Sequence, residues 1–402
     1  MKQSNLEELK VTSDQLTFSL QGLTDSGDFL FDFACASWSL ICEPGDMIAG
    51  MLRQQLGPVD SLVLLVKGVS AEVICNTLPN DIFLPPNLEV TLSECLETWR
   101  RRVKQADVFR SLDILRSIGG ILVTSRSKCW PEQLDDLQYG APAALWVLGD
   151  VQHLARLQDS VAVVGSRINS EYGNSVTRDI VETLVKDGKP VVSGGAIGID
   201  AVAHQRTLEL SGLTVAVMAG GIDRLYPVQN LELFKKITKT GLILSEVAPG
   251  VSPTKWRFLQ RNRLIAALSQ ATVVVEAGFR SGTINTAGHA NELGRPVGAV
   301  PGPINSVRSA GCHQLIKDGK AQLISVPIDL KELCGESEYF EQDFKSLGHW
   351  ELRALDSLSN EVRSISELSR ISGLTNFQAK TGLNRLAKLG LATPTSNGWL
   401  KR

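Results

Sequence analysis

The sequence lacks the patterns that identify several common classes of protein. Its seven cysteines form no Cys-x-x-Cys pair and are odd in number, which argues against a disulfide framework or a zinc ribbon and indicates a reducing cytoplasm. The five histidines form no His-Glu-x-x-His motif and no short-spaced pair, so we expect no bound metal. The polar start predicts no secretory signal, and no apolar run approaches the ~18 residues of a membrane span.

The usual nucleotide-binding fingerprints are also missing. No Gly-x-x-x-x-Gly-Lys-Ser/Thr motif is present, and Gly188-Lys189 is followed by a proline and a strand-like run. Residues 165–167 (Gly-Ser-Arg) do not continue into the Gly-x-Gly-x-x-Gly spacing. ATP hydrolysis and ordinary dinucleotide binding therefore lose support, and we predict no cofactor.

What is present is an ordinary globular composition with an uneven charge. The chain has 402 residues, 43% hydrophobic and 21% charged, with a net charge of −2, which is compatible with two to four domains. Residues 251–320 carry nine Lys/Arg and three Asp/Glu, and residues 361–402 carry seven and two. Residues 329–343 carry six acids and one lysine. Two basic stretches around an acidic one favour a polyanionic partner, although solubility alone explains such charges about equally well.

The pattern of apolar residues divides the chain into regions. Residues 1–110 are predicted to form a mainly helical domain, with helices at 31–42 and 47–56 and a strand-like alternation at 16–20. Residues 97–104 (ETWRRRVK) are basic, and the polar face of a surface helix explains them better than a DNA contact.

Residues 111–334 alternate short apolar runs with amphipathic stretches of helical length. This alternation predicts βαβ units and an α/β fold, namely a Rossmann-like doubly wound parallel sheet buried on both faces. The runs lie at 161–165, 190–195, 214–221, 242–246, 272–278, 296–302 and 321–325.

The remaining residues predict a linker and a small domain. Residues 335–346 are polar and acidic. Residues 347–402 show three helical segments and two strand-like segments around Pro394, which together predict a winged-helix domain.

Most of the apolar runs end in glycine or serine. Such loops lie at 165–167, 193–195, 220–221, 281–283 and 301–302. Ligands of open α/β sheets bind where the strands end, glycine lets backbone approach a ligand, and helix starts attract anions. One loop of this kind is explained by a tight turn, whereas several together favour phosphate binding.

Residues 255–263 (KWRFLQRNR) interleave four cations with two aromatic residues. Cations that follow the phosphates and an aromatic ring that stacks a base are typical of single-stranded nucleic acid binding. Arg261 and Arg263 point about 200° apart on a helix and cannot both contact one phosphate. One of them could instead pair with Glu246 or Glu276.

The polar residues assemble no catalytic set. Asp200 and His204 are four residues apart and could meet on one helix face, but no nucleophile accompanies them. We interpret the pair as structural, and Asp223 and Tyr226 as residues that shape the neighbouring glycine loop.

These segments resemble the DprA/Smf family of DNA-processing proteins. The motifs are VAVVGSR (161–167), SGGAIGIDAVAH (193–204), FLQRNRLIAALS (258–269) and VVVEAGFRSGTINTA (273–287). The resemblance implies an extended Rossmann domain, with an N-terminal SAM-like helical domain and a C-terminal winged helix. It also implies a homodimer that binds single-stranded DNA, protects incoming strands and loads the RecA recombinase during natural transformation.

The resemblance further implies a DNA pocket. Its members would be Gly165, Ser166, Arg167, Ser193, Gly194, Gly195, Lys255, Phe258, Arg261, Arg263, Ser281, Gly282 and Thr283. The sequence departs from the family pattern at Leu259, where a proline is usual, and at His313, where an asparagine is usual.

Two other functions stay open. Nucleotide phosphoribohydrolases share a related fold and a motif resembling PGGxGTxxE, but Thr286 stands here in place of the catalytic glutamate. The C-terminal domain could be a duplex-DNA regulator, with Asn376, Gln378, Lys380, Asn384 and Lys388 on its recognition helix, or it could bind protein. We expect a protein that is not an enzyme.

Overall fold

A computed structural model of the chain describes residues 2–79, 87–103, 107–335, 347–359, 361–388, 391–395 and 397–401. The chain divides into two compact units, Met1–Gly335 and Glu336–Arg402. The predicted acidic linker at 335–346 lies outside the described residues except for Gly335. No helix within the described ranges is long and apolar enough to cross a membrane.

The first part of the larger unit is helical. Its helices are α1 (Lys2–Leu9), α2 (Ser13–Leu20), α3 (Phe29–Ile41), α4 (Met47–Leu56), α5 (Pro58–Lys67), α6 (Ala71–Thr77), α7 (Leu88–Val103) and α8 (Val108–Ser117). The strand expected at 16–20 is wrong, because these residues belong to α2. Thr12 and Gln15 form a capping box that begins this helix. A capping box gives hydrogen-bond partners to backbone amides of the first helical turn, and this favours a helix over a strand.

The rest of the larger unit alternates strands and helices. The strands are β1 (Ile121–Val123), β2 (Leu145–Gly149), β3 (Val161–Val164), β4 (Val191–Ser193), β5 (Thr214–Val217), β6 (Leu242–Ser245), β7 (Ala271–Val274), β8 (Val297–Ala299) and β9 (Gln322–Leu323). The helices are α9 (Glu171–Lys186), α10 (Ile199–Glu209), α11 (Leu231–Thr240), α12 (Lys255–Leu268), α13 (Gly282–Glu292), α14 (Ala310–Lys317) and α15 (Asp329–Leu333). Shorter 3-10 helices lie at Glu132–Gly140, Val151–Asp159 and Val228–Asn230.

The strands form one mixed sheet in the order β1-β2-β6-β5-β4-β3-β7-β8-β9. The pairs from β6 to β9 are parallel, whereas β1 and β2 run antiparallel at one edge. The predicted α/β fold with a mostly parallel sheet is confirmed, and the expectation of a wholly parallel sheet is wrong. Successive strands run outward from β3 to β6, and β7 then returns to the other side of β3. This is the switch point at which such sheets bind ligands.

Helices cover both faces of the sheet because successive side chains of a strand point to opposite faces. Val161 and Val163 pack with residues of α9 and α10. Ala162 and Val164 pack with residues of α12 and α13 on the other face. Strands that are apolar at every position therefore have no polar face, as the sequence predicted.

The N-terminal helices share one hydrophobic core with the sheet and have a second core among themselves. Leu20, Phe33 and Leu112 pack with Trp146 of β2 and Ile243 of β6. The second core contains Trp38 of α3 and Trp99 of α7, whose rings meet edge to face with 5.6 Å between centroids. The proposed domain boundary at residue 110 stays a prediction.

The smaller unit contains α16 (His349–Ser357), α17 (Ile365–Ser372), α18 (Asn376–Lys388), β10 (Ala392–Thr395) and β11 (Gly398–Lys401). Ser364 and Glu367 form a capping box at the start of α17, and Gly373 ends it with φ +66°. The two strands pair antiparallel. Buried leucines, among them Leu368, Leu383 and Leu386, make its core.

Candidate nucleic-acid interface

A cavity of about 540 Å³ opens at the switch point between β3 and β7. Its walls are the loop after β3, the start of α12 and the start of α13. Nine of the predicted site residues line it: Gly165, Ser166, Arg167, Lys255, Phe258, Arg261, Ser281, Gly282 and Thr283. Ser193, Gly194, Gly195 and Arg263 are not among the lining residues.

The first turn of α12 presents one side of this cavity. Thr254 is its N-cap, and the Thr254 hydroxyl accepts a hydrogen bond from the Arg257 amide at 3.3 Å. With α12 begun at Lys255, the helical repeat directs Lys255, Phe258 and Leu259 toward the cavity. A threonine cap thus sets which of the clustered side chains face the ligand.

Phe258 is the central aromatic group of the cavity. The guanidinium carbons of Arg167 and Arg261 lie 5.5 Å and 5.9 Å from the centroid of its ring. The ring of Tyr226 lies against it, with 5.6 Å between centroids. An aromatic ring beside exposed cations can stack a base while those cations contact phosphate.

Arg167 and Lys255 supply the available positive charge. Both side chains are exposed and line the cavity. Within the described part of the chain, neither makes an ion pair with a carboxylate. Because no internal anion compensates them, these two cations can neutralise phosphates.

The other cations of the 255–263 run have internal partners. The Arg257 guanidinium donates to both carboxylate oxygens of Glu43, at 2.9 Å and 3.0 Å, and to the carbonyl of Ser252 at 2.8 Å. Glu43 lies in the loop between α3 and α4. Its pKa is lowered, because hydrogen bonds and charge from Arg257 and Arg102 outweigh the opposing effect of burial. Arg257 therefore ties the N-terminal helices to α12.

Arg263 forms a buried ion pair with Glu246. The side chains of Arg263 and Glu246 are 6% and 8% exposed, and neither belongs to the cavity lining. The prediction that Arg263 contacts DNA does not agree with this placement, whereas the alternative pairing with Glu246 does. A cation turned about 200° away from Arg261 on the helix faces the loop after β6 rather than the cavity.

Arg261 lines the cavity but is held mainly by the backbone. Its Nη1 donates to the carbonyls of Gly194 at 2.7 Å and Val217 at 2.6 Å. Burial lowers the pKa of Arg261 to about 10, with the nearby Asp200 opposing the shift. The positive charge is thus present at neutral pH, in a fixed position behind Phe258.

The glycine loop after β4 is already filled by internal groups. The amides of Gly194 and Ala196 donate to Asp200 at 3.2 Å and 3.3 Å, and the Ser193 hydroxyl donates to the carbonyl of Val163 at 2.7 Å. Gly195 has φ +66°, and a side chain there would collide with Phe234. The predicted role of Ser193, Gly194 and Gly195 in phosphate binding is not supported by this arrangement, because an internal carboxylate occupies the place of the anion.

Asp200 and His204 are both buried, and their partners lie elsewhere. Burial raises the pKa of Asp200, with Arg261 opposing the shift. The Nδ1 atom of His204 lies 2.7 Å from the hydroxyl of Thr214, and burial, aided by the charge of Arg261, lowers the pKa of His204 to about 3. A neutral histidine bound to a threonine agrees with a structural role.

The start of α9 is also filled by a carboxylate. Glu276, which follows β7 and is 3% exposed, accepts hydrogen bonds from the amide of Ser170 at 3.0 Å and from its hydroxyl. The Ser170 hydroxyl in turn accepts from the amide of Gly173. In a dinucleotide-binding fold this helix start would carry the pyrophosphate.

The start of α13 differs from both. Ser281 is its N-cap and makes no capping hydrogen bond, and the Ser281 hydroxyl is buried without a partner. A Cβ atom added at Gly282 would meet nothing within 4 Å, and the Thr283 hydroxyl donates to the carbonyl of Gly165 at 3.0 Å. This helix start therefore has room and free donors for a phosphate beside Arg167 and Lys255.

The sequence reasoning missed several residues of the cavity wall. Asn262 lies inside the 255–263 run, and its side-chain amide donates to the carbonyl of Gly282 at 3.1 Å, so it joins α12 to α13. Ile168, Ile265 and Thr286 also line the cavity. The helical spacing of 258, 262 and 265 could have pointed to Asn262 and Ile265, whereas Ile168 and Thr286 lie outside α12 and had no such signal. Among the described residues, no group of three or more His, Cys, Asp or Glu is placed to hold a metal.

Comparison with known proteins gives one consistent result. The family model for DNA recombination-mediator protein A matches residues 121–335. A putative DNA processing protein DprA from Mycobacterium tuberculosis strain H37Rv is 39% identical over 310 residues, which cover 72% of this chain and 78% of that protein. The DNA processing protein DprA of Bacillus subtilis is 34% identical over 235 residues, 58% of this chain and 78% of that protein.

A solved structure agrees with these matches. The X-ray structure of DNA processing protein A from Streptococcus pneumoniae superposes on this chain with a TM-score of 0.54 and 32% sequence identity. The match covers 67% of this chain and 91% of the Streptococcus pneumoniae chain. Relatives of this identity over most of their length, together with the matched model, establish the relationship. The chain belongs to the DNA recombination-mediator protein A family, the DprA/Smf family of DNA-processing proteins.

Proposed function

We propose that the protein is a sequence-independent binder of single-stranded DNA that protects incoming strands and helps to load RecA during natural transformation and recombination. The observation that carries the proposal is Phe258, whose ring centroid lies 5.5 Å and 5.9 Å from the guanidinium carbons of Arg167 and Arg261, in a cavity that also includes the unfilled start of α13. Stacking on a ring face requires an unpaired base, and contacts to phosphate and to a ring face read no base edge.

Each part of the site has one role in this proposal. Arg167 and Lys255 neutralise phosphates, the amides and the Ser281 hydroxyl at the start of α13 receive one of them, and Phe258 stacks a base. Arg261 adds a fixed positive charge behind the ring. Arg263 and the loop after β4 have no contact with DNA in this proposal, because they hold the site together from within.

We also propose that the protein is not an enzyme. Thr286, which stands where the related phosphoribohydrolases have their glutamate, is 2% exposed in the cavity wall. Glu276 holds Ser170 rather than facing the cavity. Incubation of the protein with AMP, followed by chromatography, should release no free base, and turnover would contradict this part of the proposal.

The proposal of binding partners is supported by family membership. We propose a cytoplasmic homodimer that contacts RecA, and we assign neither surface to particular residues. We also propose that the smaller unit is a winged-helix domain, supported by its three helices followed by a two-stranded antiparallel sheet. Deletion of 345–402, followed by measurement of affinity for single strands and for duplexes, separates a role in DNA binding from a role in protein binding.

The decisive experiment compares two exposed arginines. Arg167→Ala should weaken binding to a fluorescent oligothymidylate by roughly ten-fold, because a hydrogen bond to a charged group contributes about 1.5 kcal/mol or more. It should also reduce the salt dependence by about 0.7 in the log–log slope, as expected for one lost phosphate contact. Arg178→Ala removes an exposed cation of α9, which pairs with Glu209 at the surface, and should change neither quantity.

Two outcomes would contradict the proposal. Equal affinity of Arg167→Ala and the unaltered protein for single strands would remove the cavity from the DNA site. Failure of the protein to promote RecA filaments on single strands covered by a competing single-strand-binding protein would remove the loading role and leave the DNA-binding role in place.

A further inference from the structure

Two large aromatic side chains beside the cavity, Trp256 and Tyr226, are exposed, and the proposed DNA contacts do not use them. Trp256 is 56% exposed and Tyr226 is 48% exposed. Neither lines the cavity, yet each is adjacent to a residue that does. Exposed aromatic surface next to a binding cavity points to an interaction.

Tyr226 continues the aromatic surface of the cavity outward. Its ring lies at 60° to that of Phe258, with 5.6 Å between centroids. The contact covers part of Tyr226 and leaves about half of the side chain open to solvent. A strand whose base stacks on Phe258 would therefore bring a neighbouring base to Tyr226.

Trp256 lies on the other side of the start of α12. At 100° per residue, Trp256 and Phe258 point about 200° apart, whereas Trp256 and Leu259 are only about 60° apart. Leu259 is 42% exposed and lines the cavity. The apolar surface thus runs from Trp256 through Leu259 to the cavity. Tyr226 instead contacts Phe258, which points about 200° away from Trp256 on the helix.

We propose that Tyr226 and Trp256 are stacking positions on opposite sides of the cavity, which extend the single-strand site to the nucleotides before and after the one held by Phe258. The inference rests on the proposed function. The occupant is a nucleic acid strand rather than a protein, because the same rim carries the unpaired cations Arg167 and Lys255. Burying these charges without partners would be costly, and a strand supplies a phosphate for each of them without a matching acidic protein surface.

The test measures affinity against the length of the strand. Labelled oligothymidylates of about 4 to about 16 nucleotides span the site sizes of single-strand-binding domains. With the longest strands, Trp256→Ala and Tyr226→Ala should each raise Kd roughly five-fold or more, as the loss of one base–aromatic stack predicts. With strands that only fill the cavity, both variants should bind like the unaltered protein.

Matched variants separate stacking from folding. Trp256→Phe and Tyr226→Phe keep a ring and should restore most of the affinity. Phe18→Ala removes an aromatic residue of α2 that is 82% exposed and should leave Kd unchanged at every length. Thermal unfolding of all variants should coincide with that of the unaltered protein, because none of the replaced side chains belongs to a core.

Arg167→Ala in the same series separates this inference from the proposed function. If it loses affinity at every length while Trp256→Ala and Tyr226→Ala behave like Phe18→Ala, the extended site is overturned and the cavity stays assigned. If Arg167→Ala also binds normally, both are overturned. Loss that grows with length in the two aromatic variants, and is reversed by phenylalanine, supports the extended site.

Discussion

The loop after β4 and the loop at the start of α13 look alike in sequence and differ in the structure. Both segments, 193–195 and 281–283, combine glycine with hydroxyl residues. The first lies at the end of β4, and the second lies at the start of α13. In the first loop the amides donate to Asp200 and a carbonyl accepts from Arg261. In the second loop a buried serine hydroxyl has no partner. Composition shows that a loop can hold an anion, and only the partners show whether it already holds one.

The largest effect should come from emptying the filled loop. Asp200→Ala leaves the buried amide of Gly194 and the part-buried amide of Ala196 without an acceptor, and the buried charge of Arg261 without its counter-charge. Each unpaired buried group costs about 1–3 kcal/mol, so we expect the free energy of unfolding in urea to fall by about 3 kcal/mol or more. If stability were unchanged, the carboxylate would not be holding this loop.

Glycine-to-alanine changes test both loops with one chemical alteration. A Cβ at Gly194 would lie 2.5 Å from the buried guanidinium of Arg261, whereas a Cβ at Gly282 meets nothing within 4 Å. Gly194→Ala should therefore cost up to about 3 kcal/mol of stability, as overpacked sites do. Gly282→Ala should leave stability unchanged or raise it by about 0.5 kcal/mol. Equal thermal unfolding of the two variants would contradict the comparison.

Measuring stability against pH tests the protonation state of His204, whose pKa is lowered by burial and by the charge of Arg261. Because the pKa of His204 is lowered from 6.5 to about 3 in the folded state, the unfolded chain takes up a proton below pH 6.5 and the folded chain does not. Stability is therefore lost as pH falls from 6.5 toward 3. Between pH 7 and pH 5, the unaltered protein should lose about 2 kcal/mol more than His204→Asn. If the urea midpoints of the two proteins changed by the same amount between pH 7 and pH 5, His204 would not be held neutral in the folded protein.

The smallest effect should distinguish the two serines. Ser281→Ala removes a hydroxyl without an internal partner, so it should weaken single-strand binding by about 1 kcal/mol, roughly five-fold, with no change in stability. Ser193→Ala removes a hydroxyl bonded to the carbonyl of Val163, so it should lower stability by a similar amount with no change in binding. An exchange of these two outcomes would reverse the roles given to the loops.

Much of the fold could be predicted from the sequence, because buried parallel strands are apolar at every position. The runs at 161–165 and 272–278 are the central strands β3 and β7. Direction was not predictable for β2, since an apolar run reads the same whether it pairs parallel or antiparallel. The alternation at 16–20 failed because four or five residues fit a strand and a helix face equally well, and the cap at Thr12 decided for the helix.

The candidate site could be predicted in part. The cavity contains Arg167, Lys255 and Phe258, as expected, and within the described residues neither of its two exposed cations, Arg167 and Lys255, pairs with a carboxylate. The sequence could not show that Glu43, 214 residues away, holds Arg257. Pairings of this range arise only when the N-terminal helices pack beside the sheet, so a local run of cations overstates the charge available to a ligand.

The carboxylate of Glu276 at the start of α9 has a consequence for competition. A free mononucleotide or inorganic phosphate that approached this helix would have to displace a group tethered to the same protein, whose effective concentration at the site never falls. A polynucleotide that enters through the neighbouring cavity pays no such penalty, because its contacts lie at α12 and α13. We therefore expect free phosphate and mononucleotides not to bind at the start of α9, so that competition by small anions is confined to the cavity at α12 and α13.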